Sequence, residues 1–312
     1  MSLPDVEGIR MKIPRREFIG KSALGVGGLM LGAALPSLAA SEAANFDPYE
    51  IVPLGKTGLK VSRVCIGTGS YGFMRSSNQT RLGRKNFEAL LRGAYDRGIR
   101  MFDMADAYGS HPYLIPALKG IPRNHFVAVT KIWRGAGNLP ESERPDADVV
   151  VARFLEEIQT DYLDLVLLHC LTSGNWPDAQ RRQMDILSKL KEKGVIRALG
   201  VSCHSIPALE AAANEPWVDS VHARINPYSA SMDGPPREVV PVLKKIHAAG
   251  KGVVGMKIIG AGDFSDSDEM RNRSVRFALQ LGCVDVLNVG FESHDQIDDL
   301  AARVRIVPRA VA

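Results

Sequence analysis

Eight short apolar runs, each followed by an amphipathic stretch, are the feature that most constrains this chain. The runs are Arg63 to Gly67, Met101 to Asp103, Phe126 to Lys131, Leu163 to His169, Ile196 to Ser202, Ser220 to Arg224, Val253 to Met256 and Val284 to Val289. Runs such as LDLVLLH are apolar almost throughout, which indicates strands of a parallel sheet covered on both faces. Between them Phe87, Leu90, Leu91 and Ala94, and again Val151, Phe154, Leu155 and Ile158, recur at i, i+3, i+4, i+7, giving helices with one apolar stripe. Gly98, Gly194, Gly250 and Gly282 stand between a helical stretch and the next strand, where a chain leaves a helix through positive φ. The pattern predicts an α/β fold, a closed (β/α)8 TIM barrel. The alternative is a doubly wound open sheet, but GTGSYGF after the first strand is not a GxGxxG turn opening a helix. The segment IVPLGKTGLKVS adds a β-hairpin turning at Gly55 to Gly58, expected to cap the barrel bottom.

The N-terminus reads as an address. Arg15 and Arg16 precede a glycine-rich, weakly apolar stretch, Ser22 to Leu35, and small residues follow in PSLAASEAA. This pattern suggests a twin-arginine signal peptide over residues 1–43, a translocation-machinery partner and a periplasmic or otherwise exported protein. Met11 is an alternative start that keeps the signal. About 14 apolar residues fall short of the ~20 of a spanning helix, so no stable membrane span is expected after cleavage, with an uncleaved anchor as the alternative. Residues 44–312 then match the roughly 250 residues of one barrel. The net charge of +4 comes without a basic run, which argues against a nucleic-acid partner. Cys65, Cys170, Cys203 and Cys283 stand alone, with no CxxC to suggest a disulfide framework or a metal site.

In such a barrel chemistry sits at the carboxyl ends of the strands. Asp103 ends the second strand, Tyr108 lies in the loop after it, Lys131 ends the third and His169 the fourth. Each alone has an ordinary reading: a helix cap, loop packing, a solvated amine, a core histidine. Apolar strands delivering all of them to one rim need a reason, because a buried charge requires a partner.

These residues resemble the aldo-keto reductases. LGKTGLKVS, FDMADAYG, VTKIW, TDYLDLVLLH, KGVIRALGVS and INPYS follow one another in that family's order between Tyr49 and about Ala302. The resemblance implies reduction of aldehydes or ketones, with Tyr108 as proton donor, Lys131 its activator, Asp103 the partner of Lys131, and His169 orienting the carbonyl. Hydride reaching a carbonyl carbon leaves an alkoxide that needs a positioned acid, and an ammonium beside a phenol is expected to lower its pKa. The resemblance also implies a nicotinamide dinucleotide across the barrel mouth. Gly67 and Thr68 would lie against it, Ser202, Cys203 and His222 at the carboxamide, and Met256 or Lys257 on the ring. Gly260 and Gly262 would meet the pyrophosphate, and Gly290, Ser293 and Gln296 the adenosine end. Cys203 and His222 stand where the family usually has Asn and Gln. NADP(H) is expected first on family prevalence and NAD(H) close behind, because the adenosine segment carries Glu292, Asp295, Asp298 and Asp299. Tyr71, Phe73 and Trp133 are expected to wall an open pocket for a small-molecule carbonyl substrate, since little chain remains past the last helix to close it. Two rivals are a redox-sensing dinucleotide binder with little turnover, and a metal-dependent hydrolase using His169, His222, Cys203 and Asp103. The latter lacks a His-x-His first strand, and no metal ligand is assigned.

Overall fold

The computed structural model describes residues 44–309. The arginine pair and the small-residue stretch lie outside them. Two antiparallel strands, β1 (Ile51–Pro53) and β2 (Lys60–Ser62), form the hairpin. Eight parallel strands follow: β3 (Val64–Gly67), β4 (Met101–Asp103), β5 (Val127–Ile132), β6 (Leu163–Leu171), β7 (Ile196–Cys203), β8 (Ser220–Arg224), β9 (Gly252–Met256) and β10 (Val286–Gly290). Each pairs with the next, and β10 pairs with β3 to close the barrel. The chain is therefore a (β/α)8 barrel.

Period-two alternation sorts the strand residues into two layers. Val166, Leu168, Leu199 and Val201 face the helices, where they pack with Phe87, Val151, Phe154 and Leu209. Cys65, Met101, Val127, Val129, Leu165, Leu167, Ala198, Val254 and Val286 fill the interior. Continuing the interior rows toward the carboxyl ends gives Asp103, Lys131, His169, Ser202, His222 and Asn288, so one alternation yields an apolar floor and a polar mouth.

The helices cover the sheet as their stripes dictate. Phe87, Leu90, Leu91 and Ala94 are the buried residues of Arg84–Arg97, and Gly98 ends that helix at φ 115°. In Ala147–Ile158, Leu155 is only partly buried and Val150 takes an inward position. Between β4 and β5 no long helix forms. Pro112, Pro116 and Pro122 break that segment into single turns, since proline lacks the amide and clashes with the preceding turn.

The hairpin plugs the amino-terminal end of the barrel: Leu54, Leu59 and Val61 join the interior cluster. Gly55 turns at φ 51°, and a Cβ there would stand 2.3 Å from the Gly252 nitrogen at the start of β9. The described C-terminus also packs at this end, Phe46 N donating to Val307 O and Arg309 N to Ala44 O, away from the mouth. Among the described residues no helix is long and apolar enough to cross a membrane. Gly55→Ala is expected to lower unfolding free energy by about 1–3 kcal/mol, from left-handed strain and the backbone clash. An unchanged urea midpoint would show that the hairpin does not depend on that approach.

Candidate active site

Lys131, fully buried, donates through Nζ to Asp103 Oδ1 at 2.7 Å and to Met104 O at 2.8 Å. The other carboxylate oxygen accepts from Asn288 Nδ2 at 2.7 Å. His222 Nε2 stands 3.3 Å from Asp103 Oδ1, without hydrogen-bond alignment. Burial alone would raise the Asp103 pKa; the Lys131 ammonium and His222 outweigh it and hold the carboxyl well below its ordinary range. A charged pair in an apolar barrel is thereby sealed.

Tyr108 reaches this pair from a turn after β4, Asp106–Tyr108, ended by Gly109 at φ 67°. Its hydroxyl lies 3.3 Å from His169 Nε2, and the Lys131 ammonium sits 4.8 Å from its ring centroid. The ring rests on the loop after β3: a Cβ at Gly69 would come within 2.3 Å of it and one at Gly72 within 2.4 Å. His169 is set by the end of β6, where the ladder shifts register before Leu171, Cys170 adopts φ 57°, and Cys170 N donates to Ser202 Oγ at 2.8 Å. Trp133 meets His169 edge-on, ring centroids 5.6 Å apart.

The expected lowering of the Tyr108 pKa is not what this arrangement produces. Burial pushes it well above 10, with the Asp103 charge adding to the rise. Lys131 faces the ring while its hydrogen bonds go to Asp103 and Met104, so its charge is largely answered before it reaches the phenol. Burial, reinforced by Lys131, lowers His169 well below 6.5 and keeps it neutral. The pair therefore presents a protonated phenol beside a neutral imidazole.

The remaining residues divide. Thr68 is buried and bonds Asp103 O and Ser110 Oγ, joining the β3 and β4 loops. Gly67 lets Asn288 approach, Oδ1 being 2.8 Å from where a Cβ would stand. Ser202 supports Cys170. Cys203 is one residue out of the interior register: its thiol lies in the helix-facing layer, 3.5 Å from Ala208 O. That side chain is turned from the mouth, which corrects its expected place at the carboxamide and in a metal set. His222 is fully buried against Asp103. Met256 and Lys257 end β9, Lys257 at φ 61°, and Gly260 and Gly262 turn the following loop at φ 58° and 106°. Gly290 packs on Ser70. Ser293 and Gln296 cap Helix His294–Arg305: Ser293 Oγ accepts from Gln296 N, and Gln296 Oε1 from Glu292 N. Tyr71 and Phe73 are exposed on the rim, with Tyr71 OH 3.3 Å from Ala261 O in the β9 loop.

Asn288, Gly69 and Gly72 escaped the sequence reading. Asn288 is the one polar residue inside the apolar run VLNVG, a usable signal; the contact of the two glycines with Tyr108 joins separate loops and leaves no local mark.

His169 and His222 are both lowered by burial. An unfolded histidine protonates near 6.5, so below that pH the unfolded chain binds more protons and stability falls as pH falls. For His169, held well below 6.5, a loss that grows toward ~1.4 kcal/mol per pH unit is expected between pH 6.5 and 5, with His222 adding in the same direction. Unfolding free energy independent of pH across that window would contradict neutral rings.

Residues 63–304 match the sequence profile of the Aldo/keto reductase family. The L-galactose dehydrogenase of Arabidopsis thaliana is 30% identical over 161 residues, 49% of this chain and 48% of that protein. The NADH-specific methylglyoxal reductase of Escherichia coli is 29% identical over 171 residues, 48% of this chain and 51% of that protein. The chain thus spans about half the length of the curated relatives it matches. An aldo-keto reductase from Bacillus halodurans, solved in its holo form, shares the fold with TM-score 0.67 at 20% identity, over 84% of this chain and 93% of that one. With the family profile running from the first barrel strand into the last helix, the chain belongs to the aldo/keto reductase family.

Proposed function

We propose that this protein reduces aldehydes or ketones to alcohols with a nicotinamide dinucleotide. The observation that carries the reading is the Tyr108 hydroxyl 3.3 Å from neutral His169 Nε2, above the buried Lys131–Asp103 pair. A carbonyl oxygen placed between phenol and imidazole would receive hydrogen bonds as its negative charge grows. Tyr108 then gives its proton to the alkoxide. An alkoxide is about as basic as hydroxide, whose conjugate acid has a pKa of ~15.7, so a phenol above 10 remains acidic enough. The Lys131 ammonium, 4.8 Å from the ring centroid and largely balanced by Asp103, adds a weak attraction for the phenolate that is left. His169, neutral, donates without competing as an acid.

The mouth fits a dinucleotide, which when bound would supply the hydride. After β9 the amides of Ile258 and Ile259 find no acceptor among the described residues, and the left-handed residues Lys257, Gly260, Ala261 and Gly262 curl the backbone into a concave turn suited to a phosphate. The adenosine side favours NAD(H), reversing the order expected from family prevalence. Glu292 is exposed beside Ser293, while Arg97 is paired with Asp298 and Arg303 with Asp299. A 2′-phosphate there would meet a carboxylate and cations already engaged. The similarity to an NADH-specific relative supports this order. Trp133, edge-on to His169, would wall the substrate, with Tyr71 and Phe73 at the open rim.

The metal-hydrolase alternative loses support because Asp103 is occupied by Lys131 and Asn288 and Cys203 faces the helices. For residues 1–43 the reading is twin-arginine export, supported by Arg15, Arg16 and the small-residue stretch; because that route carries folded proteins, the dinucleotide would be loaded beforehand.

Tyr108→Phe is expected to lower carbonyl reduction at least 100-fold, followed by loss of reduced-nicotinamide absorbance, with dinucleotide Kd within about threefold. Near-normal turnover would remove Tyr108 as the acid. Kd values for NADH and NADPH at one salt concentration should favour NADH, and Glu292→Lys should narrow the gap; a tighter NADPH complex in the unaltered protein would reverse the assignment.

A further inference from the structure

Asp106 stands two residues before Tyr108 and is not part of the reacting group, yet its carboxylate accepts three side-chain hydrogen bonds. Its side chain is 2% exposed. Arg153, from Helix Ala147–Ile158, donates to both oxygens, at 3.1 and 2.6 Å, and Arg75, from the loop after β3, donates to Oδ1 at 3.1 Å. Arg75 also forms a two-bond pair with Glu141 at 2.8 and 2.9 Å. Arg153 continues to Glu157 at 2.7 Å, and Glu157 to the buried His111 at 2.7 Å. Three separate segments, the aromatic loop, the Tyr108 turn and a barrel helix, thus converge on one carboxylate.

Backbone contact supports the same coupling independently. A Cβ at Gly109, just after Tyr108, would stand 2.0 Å from Arg75 O, while Gly69 and Gly72 of the same loop pack on the Tyr108 ring. The loop holds Tyr71, Met74 and Arg75 in left-handed conformations at φ 51°, 50° and 57°, and leaves Tyr71 and Phe73 exposed. Such conformations persist only where surrounding bonds impose them. Arg75 supplies charge-assisted ties that can impose them, to Asp106 of the Tyr108 turn on one side and to Glu141 on the other.

We infer that Asp106 is a positioning residue for Tyr108, and that Arg75 latches the aromatic loop to it, so that one carboxylate sets both proton-donor placement and the substrate-facing wall. The inference rests on the reductase reading for its kinetic consequences. Asp106 touches no reacting atom; it acts through the turn.

The test compares Asp106→Asn, Arg75→Gln and Arg75→Lys with the unaltered protein. Turnover of a carbonyl panel, reduced-dinucleotide binding by fluorescence, and the alkaline titration of Tyr108 by NMR of its labelled ring carbon, assigned with Tyr108→Phe, are the readouts. Asp106→Asn is expected to lower kcat about 10- to 100-fold, with dinucleotide Kd within about threefold and Tyr108 titrating closer to 10. Arg75→Gln is expected to raise KM for bulky carbonyls about tenfold with kcat within about threefold, and Arg75→Lys to recover most of it. Unaltered kcat and Tyr108 titration in Asp106→Asn would overturn the inference, whatever the change in melting temperature. Should that variant not fold, Arg75→Gln decides, since Arg153 still holds Asp106: an unchanged KM for bulky carbonyls there contradicts the inference. If the unaltered protein reduces no carbonyl, the reductase reading fails, while the Tyr108 titration still judges the positioning role.

Discussion

The buried ion pair between Lys131 and Asp103 is the interaction on which the mouth depends. Neither charge could be left alone at this depth, because desolvation of an unpaired buried ion amounts to several kcal/mol and would neutralise it instead. The surroundings show how the pair is kept: Met104 O takes a second proton of the ammonium, and Asn288 occupies the carboxylate oxygen that Lys131 leaves free. Tyr108 and His169 are then arranged against a fixed charge distribution rather than a fluctuating one. The proposed proton donation at a defined point depends on that preorganisation.

Most of the barrel was legible in the sequence, and the reason is physical. A strand covered on both faces must be apolar along its length, and a covering helix needs a stripe, so both periods are written locally. All eight strands begin and end within two residues of the expected bounds, and Gly98, Gly194, Gly250 and Gly282 all carry positive φ. The segment between β4 and β5 departs from the alternation because three prolines interrupt it.

The site was legible in part. Strand-end position identified Asp103, Lys131 and His169, which the fold brings together with Tyr108. Cys203 shows the limit of that reading: adjacent residues of a strand face opposite layers, so Ser202 points inward and Cys203 does not. The Tyr108 pKa turned on how completely Asp103 answers Lys131, a three-dimensional balance that residue identity does not report. The contacts of Gly69 and Gly72 with the phenol, and the meeting of Arg75 and Arg153 on Asp106, join segments distant along the chain.

Charge is unevenly placed around the mouth: a neutral imidazole and a protonated phenol at the proposed reacting centre, free amides after β9, and carboxylates at the start of the helix after β10, where the proposal puts adenosine. That distribution suits hydride delivery to a neutral carbonyl. The most direct measurement supplies dinucleotide deuterated at the transferable position of the nicotinamide with an aldehyde substrate and locates the label by mass spectrometry and NMR. One deuterium on the carbinol carbon of the alcohol, with the hydroxyl proton drawn from solvent, is the result this account predicts. Alcohol without the label, or oxidised dinucleotide formed with no alcohol, would contradict it.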